Sequence, residues 1–309
     1  VTQGSVTNFN EGNFLRSIKS TQFVNAPAGY LYPGDEGFPP GNTGFTTKWW
    51  NFAPRAGVAW DVTGDGRMSV RASYGLAYDF PEGETWFNLS SGPPYGSRLM
   101  FQDPPGRLDD PYAHVGGETP VETNPNTKFP AFGEMGSIDP DINSPRVQQW
   151  NVSLERQLGT NWGASVSYIG SHSDRFWGSL DLSQGQYLGS GPCTINGVAY
   201  PVCTVPSNLN NRRRFYLLNP AEAQYVGNAY RFDDLSVQDY RGLKVTVQRR
   251  SVNGLSLNGN WTWGRCFGLQ LGRGGGGGSG SGGGGPYAKA DDLDYDLGHC
   301  DWDRTHLAN

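Results

Sequence analysis

One short segment of the chain contains the residue types of a hydrolytic triad. Ser171, His172 and Asp174 follow one another within a few positions, and a serine nucleophile needs a histidine base that a carboxylate orients. Triads are assembled from residues that are distant in sequence, because neighbours on one extended segment do not converge on one substrate atom. The sequence has no G-x-S-x-G, H-E-x-x-H or phosphate-loop motif. We therefore expect no catalytic residues and interpret the chain as a protein that is not an enzyme.

A second group of polar residues is the acidic segment between residues 291 and 303. It is rich in aspartate, and it also contains His299, with His306 just beyond it. Calcium prefers carboxylate oxygens, so a calcium or substrate site in this loop is one interpretation. The spacing does not match an EF-hand loop, because Gly298 comes one residue too late after Asp292. We favour a solvated acidic loop with no metal and no cofactor, although the sequence leaves calcium binding open.

Aromatic and basic side chains concentrate in stretches that lack strand periodicity. Aromatic rings stack on apolar or sugar ligands, and guanidinium groups bind acidic ones. The candidate ligand-binding residues are Trp86, Tyr95, Phe101, Tyr112, Trp177, Arg212, Arg213 and Arg214. The alternative interpretation is that these rings pack the loops into a small cap and that the arginines pair with nearby aspartates.

The four cysteines form two local pairs. Cys193 and Cys203 bracket a hairpin-like stretch, and Cys266 and Cys300 lie at the two ends of one loop. Cysteines at loop bases are typical of disulfides in an oxidising compartment, and no C-x-x-C spacing favours zinc. We predict two disulfides, Cys193–Cys203 and Cys266–Cys300.

Three tight hairpins must position these residues, and in each strand every second residue is apolar. The predicted hairpins span residues 49–80, 147–169 and 240–264, and a further strand begins within 302–309. Their turns are short, and the last contains Asn253-Gly254, a strong hairpin signal. The connecting stretches, 81–145, 171–238 and 265–301, are very long. Short turns on one side and long loops on the other are typical of outer-membrane barrels, in which the turns face the periplasm.

The composition is consistent with that interpretation. Hydrophobic residues make up 36% of the 309 residues, and no apolar run approaches the roughly 20 residues of a membrane-spanning helix. In a barrel only alternate residues face lipid, and strands of roughly 9–11 residues suffice to span. The net charge of −5 argues against nucleic-acid binding. We predict an all-β fold: an antiparallel up-and-down transmembrane β-barrel segment of about seven strands with long extracellular loops.

The chain is interpreted as an internal piece of a longer protein. Residues 1–48 lack periodicity and are predicted to be an extracellular loop leading into the barrel, which occupies 49–309. Residues 272–285 are almost pure Gly and Ser and are predicted to be a flexible loop. Aromatic residues near strand ends form the expected interfacial girdle. They are Trp60, Tyr78, Trp150, Tyr168, Trp261 and Trp263.

The strands resemble those of TonB-dependent outer-membrane receptors of the Oar-like, carboxypeptidase-regulatory-like kind. The segments that carry the resemblance are 51–61, 69–79, 147–159, 167–171, 243–250, 257–263 and 300–306. It extends over strands and flanks from about Gly29 to His306, and the Gly-rich run departs from it. The resemblance implies a barrel of about 22 strands with a plug, in the outer membrane of a Gram-negative bacterium. It also implies a TonB complex that would contact segments outside this chain.

These observations lead to one functional hypothesis and two alternatives. The first is ligand recognition and TonB-dependent transport across the outer membrane. Its partners would be outer-membrane lipid, the TonB complex and an unidentified peptide, oligosaccharide or metal chelate, with no nucleic acid. The second is an outer-membrane or extracellular adhesin or structural β-protein. The third is a secreted all-β glycosidase, which would need a pair of facing carboxylates.

Overall fold

The computed structural model describes residues 6–41, 43–79, 89–90, 92–96, 123–252, 254–269, 289–301 and 303–309. Within these ranges the strands are β1 (Asn8–Phe9), β2 (Tyr30–Leu31), β3 (Arg55–Asp61), β4 (Met68–Tyr78), β5 (Gly133–Ile138), β6 (Arg146–Leu158), β7 (Trp162–Asp181), β8 (Cys193–Ile195), β9 (Val198–Tyr200), β10 (Val226–Val252), β11 (Leu255–Leu269), β12 (Leu297–His299) and β13 (His306–Ala308). The α-helices are α1 (Glu11–Leu15), α2 (Arg214–Leu218) and α3 (Pro220–Ala223). Short 3₁₀ turns cover Pro206–Asn208, Asn210–Arg212 and Leu293–Asp296.

One large antiparallel sheet dominates the structure. Its strand order is β12-β11-β10-β7-β6-β4-β3, and β13 pairs with β11 beside β12. The long strands therefore lie side by side in chain order, which is up-and-down topology. The described part of the sheet is open, with β3 at one edge and β12 and β13 at the other. This confirms the predicted fold class. The six strands of the three predicted hairpins and β13, the predicted further strand, together make seven barrel strands.

The short turns form because local side chains satisfy their backbone amides. In the β3–β4 turn, Gly64 and Gly66 both adopt a left-handed φ of 72°, which only glycine adopts without strain. Both amides donate to the Asp61 carboxylate, at 3.0 and 2.8 Å. This turn fixes the register in which Asp61 is opposite Ser69 and Trp60 is opposite Val70.

The two faces of the sheet differ as the alternation predicts. Large apolar side chains remain exposed on one face, including Val152 at 48% and Leu257 at 49%. The residues predicted for this face are Trp60, Tyr74, Leu76, Val152, Val166, Val245 and Leu257, and those predicted for the polar face are Arg71, Asp79, Glu155, Lys244 and Asn258. Strand register places Val152, Tyr168, Leu243 and Trp263 in one row across four strands. No second sheet packs on the apolar face within the described ranges, so the fold is not a sandwich.

Two strands extend well beyond the predicted hairpins. The apolar alternation predicted that β7 ends near residue 169, but β7 continues to Asp181. It predicted that β10 begins near residue 240, but β10 begins at Val226. The β7–β10 pairing has register shifts between Asp233 and Gln238. A bulge changes which face the following residues occupy, so the period of two disappears from the sequence although pairing continues. In the hairpin predicted for residues 49–80, by contrast, residues 49–54 are not part of a strand. Pro54 has no backbone amide that could donate to a neighbouring strand.

The segments outside the sheet fold together into a second layer, here called the loop cap, comprising the described residues of 6–48, 89–96, 123–145 and 182–225. Strand β5 pairs in parallel with the upper part of β10, and this is a departure from the antiparallel prediction. β5 occupies the edge of β10 that β11 no longer covers. The cap has two apolar cores of its own, one around Phe14 and Phe215 and one around Ile138 and Ile142.

No helix in the described part of the chain is long and apolar enough to cross a membrane.

Candidate functional site: the loop cap and the polar face of the sheet

Both predicted disulfides are present. Cys193 and Cys203 are bonded with a Cα–Cα distance of 5.3 Å, and they close the small β8–β9 hairpin. Cys266 and Cys300 are bonded with a Cα–Cα distance of 5.4 Å. The second bond joins the upper end of β11 to the segment after β12. It therefore fastens the two ends of the third long loop to the sheet.

The first core of the cap consists mainly of stacked aromatic rings. Phe215 on α2 has its ring centroid 4.6 Å from that of Phe14 and 5.0 Å from that of Phe9. Phe14 and Phe215 are completely buried. Phe9 and Phe14 come from the N-terminal segment and Phe215 from a loop about 200 residues later. The long loops are therefore parts of one packed unit.

Arg213 is a buried element of that unit. Its guanidinium group lies 3.3 Å from the Asp181 carboxylate, and it also donates to the Ser183 carbonyl at 3.1 Å and to the Asn228 side chain. A buried guanidinium is stable only when its donors are satisfied in this way. Arg213 therefore links the end of β7 to the start of β10.

The other predicted binding residues in the described ranges also have partners inside the cap. Arg212 donates to the Gln186 carbonyl at 2.8 Å, and Arg214 pairs with Glu11. The Tyr95 hydroxyl donates to the Val6 carbonyl at 3.3 Å, and the Trp177 indole donates to the Asn143 carbonyl at 2.7 Å. Trp86, Phe101 and Tyr112 lie outside the described residues. The contacts show that these side chains stabilise the cap, and a ligand-binding role stays a prediction.

The segment with triad residue types does not assemble a triad. Ser171 and His172 are adjacent on β7 and occupy opposite faces of the sheet. His172 Nδ1 lies 3.0 Å from Asp239 on β10, and Asp174 pairs with Arg146 on β6. The charged side chains are therefore joined across neighbouring strands on the outer face, and the serine hydroxyl is directed away from them.

The acidic segment near residue 300 is held by local contacts. Lys289 lies 3.6 Å from Asp292, and His299 Nδ1 lies 3.0 Å from Asp303. The other oxygen of Asp303 accepts the Cys266 amide at 2.9 Å. Among the described residues, no group of three or more His, Cys, Asp or Glu side chains converges on one point that could hold a metal ion.

A groove of about 500 Å³ lies on the polar face of β3, β4 and β6. Small side chains form its floor, including Gly57, Ala59 and Ser73. Arg71 and Glu155 line it as an ion pair at 3.7 Å, and Asn151 contributes a buried side-chain oxygen with no partner among the described residues. The polar face of the sheet therefore carries a groove lined by small, polar and charged side chains.

Two carboxyl groups, one in the cap and one on the upper part of β10, have pKa values altered in opposite directions. Burial alone would raise the pKa of Asp35, but hydrogen bonds from Ser20, Tyr32 and Thr21 outweigh burial and lower it. Burial raises the pKa of Asp233, on the part of β10 beyond the barrel, to about 6, although Arg231 lies 3.0 Å away. Asp35 is thus stabilised as an anion, and Asp233 is stabilised with its proton.

Sequence reasoning did not identify the residues that hold the cap together. Asp35 accepts hydrogen bonds from Ser20 and Thr21, and Glu222 accepts one from the Ala28 amide at 3.1 Å and pairs with Lys19 at 3.3 Å. The hydrogen-bonded partners are 14 to 194 residues apart, and no local spacing relates them. The only local sequence feature that indicates this network is the Ser20-Thr21 pair before Asp35, and such pairs are common in loops.

The geometry defines the class of protein. An up-and-down antiparallel sheet with an exposed apolar face, a polar opposite face, short turns at one end and folded loops at the other is the architecture of a transmembrane β-barrel. The family described as "Outer membrane beta barrel domain" matches residues 2–309. The chain belongs to this family, and its location is the cell outer membrane.

The likeness to a solved structure is low. The chain is similar to the outer membrane transporter YddB from Escherichia coli, with 10% sequence identity and a TM-score of 0.40. The match covers 72% of this chain and 21% of YddB, so the chain spans about a fifth of the length of that transporter. No curated protein matches the sequence.

Proposed function

We propose that this chain is the part of an outer-membrane transporter that recognises a soluble ligand at its loop cap and passes it along the polar inner face. The observation that carries the proposal is a polar groove on strands that lead directly into a folded cap. The groove lies on β4 and β6, and the segment just before β6 belongs to the cap, where Asn143 donates to Asp234 on β10.

The distribution of surfaces supports this division of roles. Residues of the apolar face contact lipid and do not meet a soluble ligand. The three turns are too short to form a pocket. Recognition is therefore left to the loops, and passage is left to the inner face, where Arg71, Ser73 and Glu155 present polar groups.

The finer parts of the proposal rest on the resemblance of the strands to TonB-dependent receptors. We propose that the TonB complex energises transport through a plug and contact segment outside this chain. The ligand is a peptide, an oligosaccharide or a metal chelate, and the chain binds it without covalent chemistry. Trp86, Phe101 and Tyr112 are proposed contacts, and Tyr95, Trp177, Arg212, Arg213 and Arg214 position the surface that carries them.

The structure suggests a deletion that leaves the cap cores intact. The Thr123 hydroxyl donates to the Pro94 carbonyl at 2.9 Å, so the flanks of residues 97–122 lie close together. Replacing 97–122 with two glycines in the full-length protein removes Phe101 and Tyr112 while keeping Met135 and Ile138 in the cores. Trimming 274–285 is the matched control, because Gly and Ser side chains offer little for binding.

The test measures energised accumulation of labelled peptides, oligosaccharides and ferric chelates by cells that carry the full-length protein. We expect one probe class to accumulate, the 97–122 deletion to reduce accumulation at least about tenfold, and the Gly-Ser trimming to leave it unchanged. Loss of the membrane energy supply should stop accumulation. Cells that bind a probe at the surface but never accumulate it would contradict transport and favour the adhesin.

A further inference from the structure

Two arginines are directly opposite each other in the sheet without a partner for either charge. Arg241 on β10 and Arg265 on β11 are paired in register, and both side chains are exposed. Neither guanidinium has an ion pair or hydrogen bond among the described residues. Directly opposite side chains are about 4.5–5.5 Å apart at Cβ, and like charges in that position destabilise a sheet. An anion between the two groups would remove this repulsion.

Both arginines lie on the lipid-facing side of the sheet. The β10–β11 register has no shift between Gln238 and Arg249, so alternation is preserved over that stretch. Arg241 is therefore in step with Leu243 and Val245, and Arg265 is in step with Trp263. These apolar residues face the hydrocarbon of the membrane. The two charges are an extension of the lipid-facing surface, on the side away from the lumen.

Their height matches the outer surface of the membrane. Arg241 is about 11 residues from Val252, at the start of the β10–β11 turn. At about 3.4 Å per residue this is ~37 Å along the strand. A strand tilted by about 45° covers ~26 Å of that along the membrane normal, close to the ~25 Å apolar band of such barrels. Since the turn lies at the periplasmic boundary, the arginines lie at the opposite boundary, level with lipid headgroups.

The neighbouring residues give the arginine pair an apolar base. Gly170 on β7 is opposite Arg241, and the Trp150 ring lies over it, so close that a Cβ on Gly170 would be 2.2 Å from the ring. Trp263, 40% exposed, lies in the next row towards the membrane centre. On the far side, Asp239 is already bonded to His172. The Trp150 ring therefore covers the β7 position opposite Arg241, and no charged side chain of β7 lies at that position.

A third arginine on the same face of β10 behaves differently. Arg249, near the turn, lies over the Trp162 ring at 5.8 Å from its centroid. A cation–π contact of this kind partly satisfies the charge of an interfacial arginine. The unpartnered state is therefore a property of the outer pair, where the membrane surface supplies the missing group.

We propose that Arg241 and Arg265 together bind the phosphate group of an anionic lipid in the outer leaflet of the outer membrane. Guanidinium groups form bidentate, charge-assisted hydrogen bonds with phosphate oxygens. The acyl chains of the same lipid pack along Leu243 and Trp263, which lie immediately below. The lipid is the occupant rather than soluble phosphate, because the pair faces the bilayer and acyl chains hold the headgroup at that height. The site anchors the barrel wall near the disulfide Cys266–Cys300.

The test uses the full-length protein purified in mild detergent and native mass spectrometry with three probes. These are bis-phosphorylated lipid A, its dephosphorylated form, and inorganic phosphate as a competitor. The variants are Arg241→Gln, Arg265→Gln and the double variant. Lys244→Gln is the matched control, because it removes the same charge from the opposite face of β10. Heat-dependent gel mobility reports whether each variant has a folded barrel.

We expect the folded double variant to retain at least about tenfold less phosphorylated lipid than the unaltered protein. Each single variant should lose part of this, and Lys244→Gln should lose nothing. Equal retention of the dephosphorylated lipid, full retention by the double variant, or equal loss in Lys244→Gln would overturn the proposal. Displacement of the lipid by an equal concentration of inorganic phosphate would identify a soluble-anion site instead and overturn it too. If neither single variant nor the double variant folds, Arg241→Lys should retain less lipid than the unaltered protein, and unchanged retention would again overturn it.

Discussion

The barrel wall and the loop cap place their apolar side chains in opposite ways. In the wall, Val152 is 48% exposed and Trp263 is 40% exposed, and both are on the outside of the sheet. In the cap, Phe14 and Phe215 are fully buried in a core built from distant segments of the chain. The wall has polar groups on its opposite face, whereas the cap satisfies buried polar groups such as Arg213 in its interior. The chain thus contains a sheet whose apolar side chains face outward and a cap whose apolar side chains are buried inside.

The difference follows from the solvent that each part meets. The wall is surrounded by hydrocarbon, so its strands must pair all backbone groups within the sheet while apolar side chains face outward. The cap is surrounded by water, so its stability comes from burying rings and from satisfied polar networks such as that of Arg213. A change in the polarity of an exposed side chain should therefore have opposite effects on the stability of the two regions. The following predictions test how each region responds to substitution.

The largest effect is expected from Phe215→Ala in the cap. This removes a ring that contacts Phe9 and Phe14, and a buried Phe→Ala change costs about 3–5 kcal/mol. Hydrogen exchange should show faster exchange across 8–32 and 214–229, while heat-dependent gel mobility shows an intact barrel. Leu218→Ala on the same helix is the control, because Leu218 is 49% exposed. Barrel loss together with cap loss would show that the two layers are not independent.

The next effect is expected from removing the disulfide that fastens the third long loop to the wall. Replacing Cys266 and Cys300 with Ser opens a loop of 34 residues, worth about 3.8 kcal/mol on the chain-entropy account. Replacing Cys193 and Cys203 opens one of 10 residues, worth about 2.7 kcal/mol. Unfolding in denaturant should shift more for the first pair, and hydrogen exchange should locate its effect at the upper end of β11. An equal shift for both pairs would contradict this order.

A charge introduced on the lipid face should cost about 2–4 kcal/mol near the membrane centre. Val245→Arg and Val152→Arg test this in two neighbouring regions of the wall. Thr246→Arg is the control, because it lies on the other face of β10 and projects into the lumen. Folding into lipid vesicles, followed by denaturant titration, measures the difference. If Thr246→Arg costs as much as Val245→Arg, the assignment of the two faces is wrong.

Ser20→Ala should weaken the cap by about 1–2 kcal/mol, because it removes a hydrogen bond of 2.6 Å to the Asp35 carboxylate. The pKa of Asp35 is lowered, so its contribution is complete above the ordinary aspartate pKa and disappears as pH falls through the lowered value. The protection factors of residues 20–35 in hydrogen exchange should therefore fall only in acid. In Ser20→Ala they should begin to fall at a higher pH, and identical pH profiles would refute the role of this hydrogen bond.

The smallest effect is a pH dependence of opposite sign at the base of the cap. Because the pKa of Asp233 is raised to about 6, its contribution to stability is complete below the ordinary value and decreases as pH rises through about 6. The protection factors of residues 226–236 in hydrogen exchange should decrease slightly as pH rises from about 4 to about 7. Asp233→Asn should remove this dependence and keep an acceptor for Arg231. A persistent dependence would assign it to another group.

The wall could be read from the sequence, since its information is local. Alternation through Val152, Leu154 and Val166 predicted the strands, their faces and the membrane, and Asn253-Gly254 predicted one of the turns. Loop-base cysteines predicted both disulfides. Each of these features depends on neighbours within a few positions or on a single ladder of pairs. The alternation of apolar residues is therefore sufficient to predict the barrel segment without knowledge of the whole fold.

The upper strands and the cap were decided only by tertiary structure. β7 continues through Asp181 although bulges interrupt its period, and β5 adds to β10 in parallel across a gap of about 90 residues. Phe9 meets Phe215, and Arg213 meets Asp181, because non-local packing brings them together. The physical reason is that alternation along a strand depends on the solvent that each face contacts, which is a local property of the sequence. The core of the loop cap depends on which distant side chains pack together, and no local pattern in the sequence determines that.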